Sequence, residues 1–250
     1  MSTRYGLVLL LAITMVLPTT DKSYGSMAAQ NPDGEQGEQK LPPDVRPDTL
    51  SRMPRTKRDD LTSEEDKKAF DEVVTFQPKQ LTSRWLGPTG TRLQVPAYAV
   101  IYNKQDGMLL RNRQLLEPKY VELVIAVATR ETNNREEWLN HNPDATRLLG
   151  HKVLEVIRTQ QPTTGLDAKD AVVIQYGREL FHQAEVTPKT FAALQSSYGK
   201  KSALLVTLIM CYYESNVLLM RAYDQHMDTS PSCSTPHSGC LDAKHPPSTW

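Results

Sequence analysis

Residues Glu117–Gly150, EPKYVELVIAVATRETNNREEWLNHNPDATRLLG, hold an apolar helix, a polar break and a second helix carrying Glu137, Trp138 and His141. Pro118 suits the first position of a helix, where its missing N–H would have no intrahelical partner, and Glu117 stands beside the positive end of the helix dipole. Through about Arg130 this helix offers Tyr120, Leu123, Val124, Val127 and Ala128 for burial, with Glu122 the one acid in its apolar middle. Thr132-Asn133-Asn134 breaks the pattern and a second helix follows. Pro143 marks a kink or a new turn in it, and Gly150 a stop.

Outward from this pair the chain continues in helical punctuation. Upstream, Thr62 and Glu65 fit a capping box, with Phe70, Val73 and Val74 on the apolar side of the helix they open. Phe76–Pro96, with Trp85 and Gly87-Pro88-Thr89-Gly90, has no sustained period and reads as an ordered loop. Ala97–Asn112 resumes helical spacing, placing Tyr98, Ile101 and Leu109 on one face. Downstream, Asp167 caps a segment through Gln183 whose Ala171, Ile174, Leu180 and Phe181 form a candidate buried stripe. Thr187-Pro188 is a cap and first-turn pair, opening a helix that ends at Gly199. Lys201–His226 is long and very apolar, interrupted by Glu214, Ser215 and Asn216, and reads as the central core helix rather than a membrane span. Cys211 within it reads as a small buried core residue. No stretch shows strand alternation, so the expected fold class is all-α.

The flanks differ in kind. Hydrophobic content is only 39% over 250 residues, and the polar, Pro-rich segments 31–60 and 229–250 account for much of the deficit. Arg4, the apolar run Leu7–Leu17 and the small residues Ser23/Gly25 or Ser26/Ala28 predict a signal peptide over 1–28, hence a periplasmic or secreted protein with no membrane attachment after cleavage. A retained N-terminal anchor is the alternative. Residues 29–60 read as a flexible linker, 61–228 as the helical domain and 229–250 as a disordered tail. Cys233 and Cys240 in the tail could close a small disulfide loop; with His237 and His245 they match no closed zinc pattern. Lys+Arg and Asp+Glu balance at 29 each, leaving no basic field to hold a phosphate backbone, so nucleic-acid binding is not expected.

Chemistry points back to the opening stretch. Asn134, Glu137 and His141 fall at i, i+3 and i+7 on one helix face, and Glu122 lies nineteen positions before His141. If the two helices form an antiparallel hairpin, a carboxylate approaches that imidazole and can orient it for proton transfer near neutral pH. Three blander readings stand beside this one. Glu137 and His141 could be a solvated i,i+4 pair, Glu122 could pair with Arg130 or Arg113, or Glu137-x-x-x-His141 could supply two metal ligands. Di-iron bundles use and repeat Glu-x-x-His, and no repeat is present, so no metal is expected.

The run Tyr120-Val-Glu122-Leu-Val-Ile-Ala-Val-Ala-Thr-Arg130-Glu131, then Glu137-Trp138-x-x-His141, resembles the carboxymuconolactone decarboxylase family, which shares its helical fold with the alkyl hydroperoxidase D proteins. The likeness runs from about Leu41 to Asp228. It includes Gly87-Pro88-x-Gly90-x-Arg92-Leu93, Gly165-Leu166-Asp167 and an apolar last helix with Tyr212 and Tyr213. The peroxidase branch of that family has a Glu, a Cys-x-x-Cys and a His. Here Glu122 and His141 match, but Asn134 and Glu137 stand where the cysteines would be, so thiol redox chemistry has no thiolate to work with. The decarboxylase branch is the better match. It implies loss of CO2 from a carboxylated lactone without cofactor, with His141 as proton donor, Glu122 as its orienting partner and Glu137 as a second polar group. Arg111 or Arg113 would neutralise the substrate carboxylate, with Trp138 and Asn134 also lining the site. The resemblance further implies a homotrimer or homohexamer. A non-catalytic binding or scaffold protein of the same fold is the competing expectation.

Overall fold

The computed structural model describes residues 41–76, 87–111 and 114–226. The predicted signal peptide, Trp85, Arg113 and the tail cysteines Cys233 and Cys240 lie outside the described residues. Among those described, 71% are helical and no strand is found, so the protein is all-α. The helices are α1 (Glu64–Phe76), α2 (Gly87–Arg92), α3 (Pro96–Leu110), α4 (Pro118–Glu131), α5 (Arg135–Leu149), α6 (His151–Arg158), α7 (Ala168–His182) and α8 (Pro188–Ala222).

Helix α4 is the axis of the domain. Val121 and the unbroken run Leu123–Thr129 are buried, an all-round apolar surface that only a helix enclosed by others can carry. It packs against α5, α7 and α8. The turn into α5 is short and its polar groups are satisfied locally. Asn133 takes the left-handed conformation that asparagine tolerates (φ 53°), the Asn134 N–H bonds Thr129 O at 2.8 Å, and the Asn134 side chain caps α5 by accepting from Glu137 N–H at 3.0 Å. Arg221, near the end of α8, donates to Thr132 O and ties this turn to the last helix. Pro143 is accommodated inside α5, and Gly150 at φ 78° turns the chain into α6.

Helix α8 is broken at Gly199, whose φ of 78° and ψ of 161° no helix supports, so 188–198 forms an arm before the long apolar stretch from 200 onward. Thr187 caps its start and Asp167 caps α7, as the punctuation predicts. Helix α8 is long and apolar enough by composition to cross a membrane, yet 56% of its most apolar window is buried inside the fold, against α4 and α7.

Gly177 on α7 permits a close approach of three helices. A Cβ there would overlap Val127 Cγ1 of α4 and press Met210 Cε of α8 at 3.1 Å. We expect Gly177→Ala to lower stability by about 1–3 kcal/mol, although alanine favours helix, because overpacking a tight core outweighs propensity. A urea melt with unchanged slope and a lower midpoint is the check; a midpoint equal to or above wild type would show that α7 is free to move away.

Several local expectations are corrected. The capping hydroxyl of α1 is Ser63, accepting from Asp66 N–H at 2.9 Å, rather than Thr62. Part of the expected loop is helix α2. On α3 the buried face carries Ala99, Val100, Tyr102 and Leu109, packing with Phe70, Val73 and Leu93 on one side, while Tyr98 and Ile101 are exposed. Helix α6, not anticipated, buries Val153, Leu154 and Ile157. Cys211 is exposed rather than in the core.

The linker assigned to 29–60 is, from residue 41, part of the fold. Val45 and Leu50 are buried, Arg52 N–H bonds Tyr223 O at 2.8 Å and His226 N–H bonds Leu50 O at 2.7 Å. Gln225 Nε2 adds a bond to Thr49 O at 3.1 Å. This irregular segment clasps the end of α8 by backbone hydrogen bonds, which leave no periodic trace in side chains.

Candidate functional site

The hairpin brings Glu122 and His141 together. His141 Nδ1 lies 3.1 Å from Glu122 Oε2, and the opposite ring nitrogen, Nε2, lies 2.9 Å from Tyr213 Oη on α8. Nε2 also stands 3.9 Å from Glu137 Oε2 one helical turn earlier. In the neutral ring, Nδ1–H donates to the carboxylate and Nε2 accepts from the phenol; protonation reverses the second bond. The Tyr213 ring meets the imidazole edge-on, centroids 5.4 Å apart.

His141 and Glu122 keep side-chain exposures of 18% and 16%, whereas Glu137 is buried. Burial opposes the charged imidazolium, but the Glu122 carboxylate, with Glu137 and Asp106 behind it, outweighs burial and holds the His141 pKa above the ordinary histidine value. Burial raises the Glu137 carboxyl, only partly countered by His141 and Arg92. Burial, reinforced by the surrounding carboxylates, pushes the Tyr213 phenol well above its usual range, so it remains a hydroxyl donor. The cluster therefore favours a proton on the imidazole and keeps the phenol a hydroxyl.

The other predicted site residues are distributed unevenly. Asn134 is buried with both ends of its amide engaged, accepting from Glu137 N–H and donating to Met220 Sδ at 3.6 Å, so it positions Glu137. Trp138 is part of the main core. Arg111 is exposed at the end of α3, and among the described residues no hydrogen bond or ion pair joins it to Glu122, Glu137 or His141.

What the spacing did not single out is an aromatic wall extending from His141. Tyr213 meets Tyr212 edge-on at 5.6 Å, and Tyr212 stacks on Tyr102 of α3 at 4.7 Å with the planes 17° apart. Tyr212 Oη donates to Asp106 Oδ1 at 2.9 Å. Tyr102 Oη donates to Asn216 Oδ1, which also accepts from Arg92 Nη2 at 2.8 Å. The Arg92 guanidinium carbon sits 3.5 Å over the Tyr102 ring. A trace of this was present in the sequence: Tyr212, Tyr213 and Asn216 sit at helical spacing, and Asn216 is a polar residue inside an apolar helix. Only packing shows that Asn216 points inward while Glu214 and Ser215 beside it face out or bond their own helix.

No protein-family model, curated protein or solved structure matches the chain. The functional reading accordingly rests on the side-chain geometry and on the residues quoted for the resemblance.

Proposed function

We propose that the chain is an exported, cofactor-free acid–base enzyme with an alkyl hydroperoxidase D-like fold, related to carboxymuconolactone decarboxylases and decarboxylating a carboxylated lactone or related small acid. The observation that carries this reading is the largely buried Glu122–His141–Tyr213 chain of hydrogen bonds, with buried Glu137 beside it. Such a chain is unnecessary for packing and suited to moving one proton.

In the proposed reaction the bond to the leaving carboxylate breaks and CO2 departs. The electron pair is delocalised as an enolate onto the lactone carbonyl, and one proton is then delivered to carbon. The His141 imidazolium supplies the proton, directly or through Tyr213, whose hydroxyl passes one proton on as it receives another. Glu122 stabilises the imidazolium and keeps Nε2 aimed at Tyr213, and solvent restores the proton. Glu137 is the second polar group of the site, its carboxyl 3.9 Å from Nε2. The test is CO2 release from a panel of carboxylated lactones and β-keto acids. Rates indistinguishable from buffer across the panel would return the chain to the scaffold reading.

Assembly into a homotrimer or homohexamer belongs to the same proposal. Leu204, Leu208 and Leu218 are exposed on α8 in a stripe continued by Cys211, and Tyr98, Ile101 and Met108 are exposed on α3. A surface of this kind is costly to leave in water. Leu208→Glu is expected to shift the mass measured by light scattering from oligomer to protomer with the helical circular dichroism retained; a wild-type protein already monomeric at micromolar concentration overturns the assembly.

A further inference from the structure

Arg92 ends the short helix α2 and is only 5% exposed. One N–H of Nη2 bonds Asn216 Oδ1 at 2.8 Å and the guanidinium lies flat on Tyr102, but Nε and Nη1 have no hydrogen-bond acceptor among the described residues. Nor does any carboxylate among the described residues form an ion pair with it. Other buried carboxylates among the described residues have partners: Asp170 pairs with Lys119 at 2.9 Å, Glu131 accepts from Gln160 and His182 at 2.9 Å each, and Glu179 accepts from Gln175, Thr187 and Thr190. A buried cation with unpaired donors is expensive, and an aromatic face offsets only part of that cost. Tyr102 does not serve as its counter-anion, because burial holds that phenol protonated despite the guanidinium beside it.

We infer that Arg92 is the binding residue for a carboxylate of the substrate. Whichever N–H of Nη2 is taken by Asn216, the other lies beside an unpaired N–H of Nε or Nη1, so a two-pronged edge is left without a partner. That edge matches the spacing of carboxylate oxygens. Arg92 lies on Tyr102, Tyr102 stacks on Tyr212, and Tyr212 meets Tyr213, which bonds His141 Nε2, so one continuous aromatic wall joins the anchor to the proton donor. The bound carboxylate is one that stays: a guanidinium stabilises the charged ground state and would oppose loss of that group as CO2. This assignment deepens the acid–base reading, and it is measured without turnover so that the two fail separately.

The probe is benzoate, with benzamide as its uncharged isostere and inorganic phosphate as a competing anion source, added to the full-length protein. Benzoate is expected to raise the melting temperature and to shift the Arg92 Nε–H resonance, with benzamide doing neither and phosphate much less. Arg92→Met should weaken benzoate by about 30-fold or more in calorimetry, whereas His141→Ala, which keeps the guanidinium, should weaken it far less. Arg92→Lys, which keeps the charge without the fork, should fall between them. Benzoate affinity unchanged in Arg92→Met, an Arg92 resonance unmoved by benzoate, or phosphate binding as tightly as benzoate would each overturn the assignment. The resonance measurement decides even if Arg92→Met does not fold.

Discussion

His141→Ala is expected to lower turnover of a carboxylated lactone by about a hundred- to ten-thousandfold, the usual contribution of a positioned general acid. Nothing else in the cluster can replace it. Tyr213 is held protonated by burial and cannot reload itself without a neighbour to pass it a proton. Glu122→Gln keeps the size of the side chain but removes the charge that offsets burial of the imidazolium. Its effect should therefore appear in the pH profile as well as in the rate. The donor is the protonated ring, present below its pKa and lost as pH rises through it. In wild type that alkaline limb should lie above the ordinary histidine value, because Glu122 outweighs burial. In Glu122→Gln burial remains while its main opponent is gone, so the limb moves to lower pH. Tyr213→Phe removes the bond to Nε2 and should slow turnover without moving the limb as far. Equal rates and superimposable profiles for wild type, His141→Ala and Glu122→Gln would eliminate the assigned roles.

The largest loss of stability is expected at Glu131, which ends α4. Its side chain is fully buried, accepts from Gln160 Nε2 and His182 Nε2 at 2.9 Å each, and faces Arg178 Nε at 3.5 Å. Arg178 in turn donates to Gln161 O at 3.0 Å and Val156 O at 3.2 Å, so this one carboxylate organises the end of α6, its following turn and the end of α7. An acid at the C-terminal end of a helix is disfavoured by the dipole, and the cations around Glu131 compensate. Glu131→Ala leaves Arg178 and His182 facing an emptied polar site and should cost about 3–5 kcal/mol. Urea unfolding measures it. Replacing both partners, Glu131→Leu with Arg178→Met, should cost less than Glu131→Ala alone, because no buried charge is then stranded. A cost under about 1 kcal/mol for Glu131→Ala would mean that water reaches the cluster.

The elements that could be read from sequence are those with a local cause. Pro118, Asp167 and Thr187-Pro188 mark helix starts through their own backbone chemistry, and α4, α7 and α8 begin where these residues stand. The approach of Glu122 to His141 was legible for the same reason, since a three-residue break between two helices leaves little choice but a hairpin. Helix α6 was missed because it is only eight residues long and follows directly on the Gly150 stop, and the segment 41–60 because its order comes from hydrogen bonds to Tyr223, Gln225 and His226 far along the chain. The exposed faces of α3 were misassigned because an apolar stripe does not say whether it meets the core or solvent.

The sequence by itself determined an all-α chain with a Glu–His pair on a helical hairpin, and the absence of cysteines at Asn134 and Glu137, because helix spacing and side-chain chemistry are local properties. Tertiary structure decided what surrounds the imidazole: Tyr213 on its second nitrogen, the stacked Tyr212 and Tyr102, and a buried Arg92 with open donors. Arg92 and Asn216 are 124 positions apart and share a hydrogen bond only because α2, α3 and α8 converge, a fact of packing that no period in the chain records.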